Sequence, residues 1–273
     1  MLQAGYGAGD NRVTLLGDGD QDLFKLLKTE AFEVQVGIHE LLGHGSGKLY
    51  EAGTADAEAL VAAGTVHPLT GEPITGPFYA AGTTWDSTFG KIASTYEECR
   101  AECSGLYLCL EPTVLSVFGH DQVAAEGSVS DVTYINWLLM ARAGLTGLEF
   151  YTPETKGWRQ AHMQARYVIL RVLLEAGGGL LELKQIEGED GAPDIEVVLA
   201  RDLIPTVGKE AIGAFLLKLQ VHKSLGDLEA GSAMYSGCKY THNLRLLVVF
   251  SVCFLSSCFA VADMEVPESM NAM

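Results

Sequence analysis

Apolar positions along the chain fall mostly into helical spacing. Residues 22–28 (DLFKLLK) predict a short amphipathic helix. Residues 32–48 predict a second helical stretch that ends in Gly45, Ser46 and Gly47. Residues 1–20 are rich in Gly and Asp and suggest a loose lead-in. Between 51 and 90 turn residues crowd together (Gly64, His67–Pro68, Gly71, Pro73, Gly76–Pro77, Gly82), which predicts a long, mostly irregular excursion. Loops of that length in a compact protein usually serve function. Helical spacing returns over 95–110 and is strongest over 132–150 and 158–176. In the last of these, Met163, Tyr167, Leu170 and Leu174 recur at three- and four-residue steps, as a core-facing stripe does. Gly177, Gly178 and Gly179 end it. Residues 180–185 and 195–199 flank a Gly/Pro/Asp turn and predict a β-hairpin, and 209–223 predict one more helix. No internal repeat is visible. The fold class is mainly α with a small β-hairpin.

Composition narrows the picture. The 273 residues suffice for one large domain or two small ones with a sizeable core. Apolar residues at 48% and charged residues at 19% argue against disorder. Lys and Arg number 18 against 35 Asp and Glu, a formal charge of −17, which argues against a grip on nucleic-acid backbone. An acidic surface suits cationic substrates but commonly reports only solubility. Six cysteines do not make a disulfide framework: Cys99, Cys103 and Cys109 share one predicted helix, and Cys253 and Cys258 lie in an apolar tail. The first 11 residues lack the apolar core of a secretory signal, so a reducing, cytoplasmic compartment is expected. The uncharged run 246–262 sits at the short edge of what spans a membrane.

The sharpest chemical signal is His39-Glu40-Leu41-Leu42-Gly43-His44. In the usual zinc-hydrolase motif two His lie four residues apart on one helix face, with a Glu beside the first. Here they are five apart. At about 100° per residue, five steps set the rings roughly 140° apart on a regular helix, too far round to share a metal. A one-residue bulge repairs this, and Gly43 could relax the backbone for it. A catalytic zinc site takes three protein ligands and keeps one position open. The best third ligand lies in Glu97-Glu98-Cys99-Arg100-Ala101-Glu102, with Glu98 54 residues after His44. Like charges one helical turn apart repel, a cost easier to understand beside a cation. The remaining acids could then fix the imidazole tautomers. Glu40, pointing to the neighbouring water position, could take a proton from water attacking a carbonyl and pass it to the leaving amine.

The hexapeptide alone fits a surface pair as well as a metal site; the Glu-Glu-x-x-x-Glu helix favours the metal. Cys99, Cys103 and Cys109 read as small buried residues, since none stands in Cys-x-x-Cys spacing. By pattern His162 reads as an ordinary core or surface histidine. His67, His120, His222 and His242 read as structural.

VGIHELLGHGSGKLY, TWDSTF, ASTYEECRAE, GLYLCLEP, YINWLLMARAGL, LEFYTPE and WRQAHMQARYVILRVLLEAG resemble the helical catalytic lobe of the dipeptidyl peptidase III family of zinc metallopeptidases. The resemblance runs over 23–235, after a lead-in at 1–22 and before a divergent apolar tail at 236–273. It implies one Zn2+ per chain on His39, His44 and Glu98, with Glu40 as general base. It implies that Glu97 and Glu102 support the ligand imidazoles. His162 and Arg166 would stand near the scissile carbonyl, which replaces the pattern reading of His162, and Trp85 and Asp86 would line the substrate cleft. The family removes dipeptides from the free N-terminus of short peptides, mostly in the cytoplasm, as a two-lobed monomer. The expectation is therefore a truncated catalytic lobe with most of the second lobe missing. It is either a zinc exopeptidase or a form that binds zinc or partners without hydrolysis. The tail is expected to be an aberrant end rather than a membrane anchor.

Overall fold

A computed structural model describes residues 12–121, 124–188 and 191–239. Its centre is a helix with almost no face left for water. Helix α4 (Ala93–Leu108) buries Tyr96, Cys99, Arg100, Ala101, Glu102, Cys103 and Leu106 in succession. A helix buried all round must be enclosed by others. Its enclosure comes from α1 (Asp18–Ile38), α7 (Ala161–Glu175) and α8 (Lys209–Leu225). Against α1 and α7 packs α6 (Asp131–Thr146), whose Trp137 is fully buried and donates its indole N–H to the Leu106 carbonyl at 3.2 Å. Helices α6 and α7 approach closely at Gly144, where a Cβ would meet Leu170 Cβ at 2.6 Å.

Local chemistry starts and stops these elements. Asp18 and Asp20 place negative charge at the N-terminal end of α1, where the helix dipole favours it. Phe24, Ala31, Val34, Gln35 and Ile38 form its buried stripe. Sequence spacing suggests two helices over 22–48. The structure has one helix from Asp18 that runs without a break into a π-helical turn, His39–His44. Thr29, Glu30 and Ala31 join the two stretches, and none of them breaks a helix. Within the expected lead-in, Leu15 and Leu16 are buried, Gln21 bonds back to Val13 and Leu16, and Leu16 bridges to Val197.

The excursion at 51–90 is less irregular than its turn residues suggest. It holds α2 (Ala55–Ala62), capped by Thr54, and α3 (Trp85–Phe89), closed by a Thr84–Ser87 capping box. A small core of Ile74, Val221 and Leu225, with Tyr50, Leu60, Leu69 and Phe78 against it, ties the excursion to the end of α8. There the Tyr79 hydroxyl donates to the Lys223 carbonyl at 2.6 Å. Helix α5 (Pro112–Val117) begins with proline in its first turn.

Helix α7 starts at Ala161, three residues later than its pattern suggests, because the Gln160 side chain caps it by accepting from the Met163 N–H at 2.7 Å. Just before it, β1 (Tyr151–Thr152) pairs with β2 (Gly157–Trp158). The expected hairpin is present as β3 (Leu181–Glu187) and β4 (Pro193–Leu199), antiparallel with Leu181 opposite Leu199. Helix α9 (Leu228–Lys239) was not expected. Its two glycines and two serines weaken the helical signal, but Asp227 Oδ1 accepts from the Ala230 N–H and Tyr235 is fully buried. No helix among the described residues is long and apolar enough to cross a membrane; the run 246–262 lies outside them.

Candidate metal centre

The π-helical turn answers the awkward spacing of the two histidines. In such a turn the backbone bonds close over five residues, so residues five apart come to the same side. The His39 and His44 ring centroids lie 4.7 Å apart, edge to face. Gly43 allows the turn to press on α4: a Cβ there would stand 2.8 Å from both Cα and Cβ of Ala101. The Gly43 carbonyl accepts from Arg100 Nη2 at 2.7 Å.

Facing the turn, α4 presents Glu97, Glu98 and Glu102. Glu98 Oε2 lies 3.2 Å from His39 Nε2, 3.6 Å from His44 Nε2 and 3.1 Å from His162 Nδ1 on the first turn of α7. Behind the rings, His44 Nδ1 is 3.1 Å from Glu97 Oε1 and His39 Nδ1 is 3.5 Å from Glu102 Oε2. Carboxylates at both Nδ1 atoms favour the tautomer that carries its proton there and leaves the Nε2 lone pair free. Burial alone would lower the His39 pKa, but contacts with Glu102 and Glu98 outweigh it and raise it to about 9. Burial would raise the Glu98 pKa; His162 and His39 outweigh that and hold it well below the usual carboxylate range.

These residues fit a divalent metal. Glu98 Oε2 and His162 Nδ1 are close yet not aligned as a hydrogen bond, and both are buried polar atoms without a hydrogen-bond partner. Ligand atoms about 2 Å from a tetrahedral zinc stand about 3.3 Å from one another, close to the three spacings seen around Glu98. The donor atoms of His39, Glu98 and His162 all lie within 4.8 Å of one another. The trio so grouped therefore contains His162, where sequence and resemblance favoured His44; all three rings nonetheless meet the same carboxylate oxygen.

The other expected site residues lie around this centre. Glu40 is exposed on the π turn. Arg166 turns away from the open side: its Nε and Nη2 donate to Glu102 Oε1 at 2.8 and 2.7 Å, and the residue is 8% exposed. Trp85 stacks on Phe89 and lies under the Lys223 ammonium, 5.2 Å from its ring centroid. Asp86, next to it, is exposed. Sequence reasoning missed two cations. Arg100 is fully buried against Glu97, and Lys223 Nζ lies 2.5 Å from the same carboxylate. Burial would raise the Glu97 pKa, but these two cations lower it to about 2. The repulsion expected among the acids is thus relieved by side chains even before a metal is considered.

A family model described as Peptidase family M49 matches residues 2–248. The chain belongs to peptidase family M49. Among its M49 relatives, dipeptidyl peptidase 3 of Nematostella vectensis is 54% identical over 228 residues, which are 84% of this chain and 31% of that protein. Dipeptidyl peptidase 3 of Homo sapiens is 53% identical over 237 residues, 87% of this chain and 32% of the relative. The chain spans about a third of the length of the curated relatives it matches. A solved structure of DPP III from Caldithrix abyssi superposes with a TM-score of 0.53 at 17% identity, covering 88% of this chain and 34% of that one. It supports the M49 fold assignment.

The remaining histidines lie away from the cluster around Glu98 or outside the described residues. The His67 ring accepts from the Leu69 N–H, His222 lies beside Asp227, and His120 lines a separate cavity of about 540 Å³ against α5. His242 lies outside the described residues. Cys99, Cys103 and Cys109 are fully buried thiols.

Proposed function

We propose that residues 23–235 form the zinc-binding catalytic lobe of a dipeptidyl peptidase that removes dipeptides from the free N-terminus of short peptides. The observation that carries this reading is the convergence of three imidazoles on Glu98 Oε2 in an M49 chain. His39, His44 and Glu98 would hold the ion. The two histidines are favoured because a carboxylate braces the Nδ1 of each, as is general for zinc-bound imidazoles. His162 has the most exposed side chain of the three, at 38%, which suits a substrate-side role. Two nitrogens, one carboxylate and an open position favour zinc over harder cations.

When bound, zinc supplies Lewis acidity to a carbonyl and to water. The protein's own part starts with Glu40. Its carboxylate accepts a proton from the attacking water and returns it to the leaving amine nitrogen. His162 steadies the carbonyl oxygen as charge develops there. Arg166 acts from behind through Glu102 in the geometry described, and reaches substrate only by leaving that pair. Trp85 and Asp86 line the approach. The compartment proposed with this reading is the reducing cytoplasm, which suits thiols buried in a helix as Cys99 and Cys103 are on α4.

The exposure of Glu40 favours a second reading, zinc binding without turnover, because acid–base chemistry gains from excluding water. One experiment separates the two: metal analysis and dipeptidyl-arylamide hydrolysis on the whole chain. Stoichiometric zinc, lost in His39→Ala and Glu98→Ala, is expected. Glu40→Gln should keep zinc and lose turnover. A chain that binds zinc and hydrolyses nothing supports the second reading, and one that binds no metal refutes both.

A further inference from the structure

We infer that Gln35 is a positioning residue for the metal centre, holding the Glu102 carboxylate against the His39 ring, and that Asn136 sets the orientation in which Gln35 does so. The inference rests on the metal reading above. Gln35 lies one helical turn before His39, on the buried face of α1. Its Nε2 donates to Glu102 Oε2 at 2.7 Å and to the Glu102 carbonyl at 3.0 Å. Its Oε1 accepts from Asn136 Nδ2 at 3.1 Å. Only one orientation of the amide satisfies all three contacts. Turned round, it would set its oxygen against two other acceptors.

The surroundings are built for this amide. On α4, Gly105 leaves a slot, since a Cβ there would lie 2.4 Å from both Gln35 Nε2 and Oε1. Gln35 is 6% exposed, Glu102 2% and Asn136 1%, so these bonds are shielded from bulk water. A cavity of about 20 Å³ beside Gln35, Glu102, Asn136 and Arg166 has room for one water and not for a substrate. Gln35 therefore acts through Glu102 rather than on a ligand. The oxygen it holds is the one that faces His39 Nδ1, while Arg166 holds the other. With both oxygens tied, the carboxylate cannot rotate, and the His39 Nδ1 proton has one acceptor. Asn136 completes the line from α6; its side chain also meets the Cys109 thiol.

The test is zinc affinity of the full chain, measured by competition with a chromophoric chelator, alongside melting of the metal-free protein. Gln35→Leu should weaken zinc binding 10- to 100-fold, the range typical for such supporting contacts. Asn136→Asp should weaken it comparably without altering any atom near His39. An ionised aspartate there can only accept, so the Gln35 amide turns and presents oxygen to Glu102; a protonated one could still donate to Gln35, so the loss of affinity should grow as pH rises. The double variant should bind no worse than Gln35→Leu alone. A purely structural role would lower the melting temperature and leave the affinity of the folded protein intact. Wild-type zinc affinity in folded Gln35→Leu and Asn136→Asp overturns the inference and leaves the metal reading standing. If Gln35→Leu does not fold, Asn136→Asp decides alone. Absence of zinc binding by the wild-type chain overturns the metal reading and the inference with it.

Discussion

Replacing Arg100 with methionine keeps most of the side-chain volume and removes the guanidinium. That group is fully buried and reaches four partners. It meets Glu97 at 2.6 and 3.0 Å, the Gly43 carbonyl at 2.7 Å, Gln220 Oε1 at 3.0 Å and Ser46 Oγ at 3.1 Å. Stripping one member from a buried ion pair destabilises by about 3–5 kcal/mol. Lys223 stays on Glu97, which places the ionic loss at the low end. The Gly43 carbonyl keeps the Ser46 N–H and hydroxyl, so its lost bond adds about 1 kcal/mol. The sum, about 4 kcal/mol, corresponds to a fall in melting temperature of about 8–16 °C for a fold of this size. Thermal and urea unfolding of the metal-free chain, followed by far-UV circular dichroism, measures it. Zinc affinity should fall in parallel, because the same fork holds the π turn and the acid behind His44. Arg100→Lys, which keeps the charge and loses the fork, should fall between. A stability change under about 1 kcal/mol would refute the ionic argument. A destabilised Arg100→Met that binds zinc like the wild type would refute its link to the turn.

Gly43→Ala drives a methyl into the backbone of Ala101 and should cost about 1–3 kcal/mol, with zinc affinity lowered as well; unchanged unfolding and binding would show that the turn has slack. Zinc removal should lower the melting temperature, since a ligand at 100 times its dissociation constant adds about 2.7 kcal/mol; a scan insensitive to chelator refutes binding at a folded site. The metal-free chain should be most stable between the ordinary Glu and His ranges. The Glu97 pKa is depressed from 4.5 to about 2, so its contribution is complete above 4.5 and fades on acidification. By pH 3 that amounts to about 2 kcal/mol. The His39 pKa is raised from 6.5 to about 9, so its contribution is complete below 6.5 and is lost as pH rises through 9. Urea midpoints that stay level from pH 5 to 3 contradict the acid arm.

Much of the centre was legible because its parts are local. The five-residue offset of His39 and His44, with Gly43 between them, demanded one extra residue in a helical turn, and the π turn supplies it. The acids of α4 announced a need for positive charge. What stayed hidden lies far off along the chain. Lys223 meets Glu97 across 126 residues, and no spacing rule connects them. Gln35 carried a faint signal, a polar residue on an apolar stripe one turn before His39. His162 was given by the family resemblance and not by its spacing: it sits on a helix whose periodicity describes packing alone, and its place at the start of α7 turns it toward Glu98. Helix α9 was illegible because weak helix formers are held there by a buried tyrosine and a capping aspartate, and propensity registers neither.

Once the imidazoles give up their protons, as metal binding requires, the three acids of α4 are balanced by three cations, Arg100 and Lys223 on Glu97 and Arg166 on Glu102. A dication entering the centre keeps most of its field for whatever stands opposite. The side of the centre opposite α4 would then attract negative groups, and small anions such as phosphate or free carboxylates become natural competitors there, more so at low ionic strength.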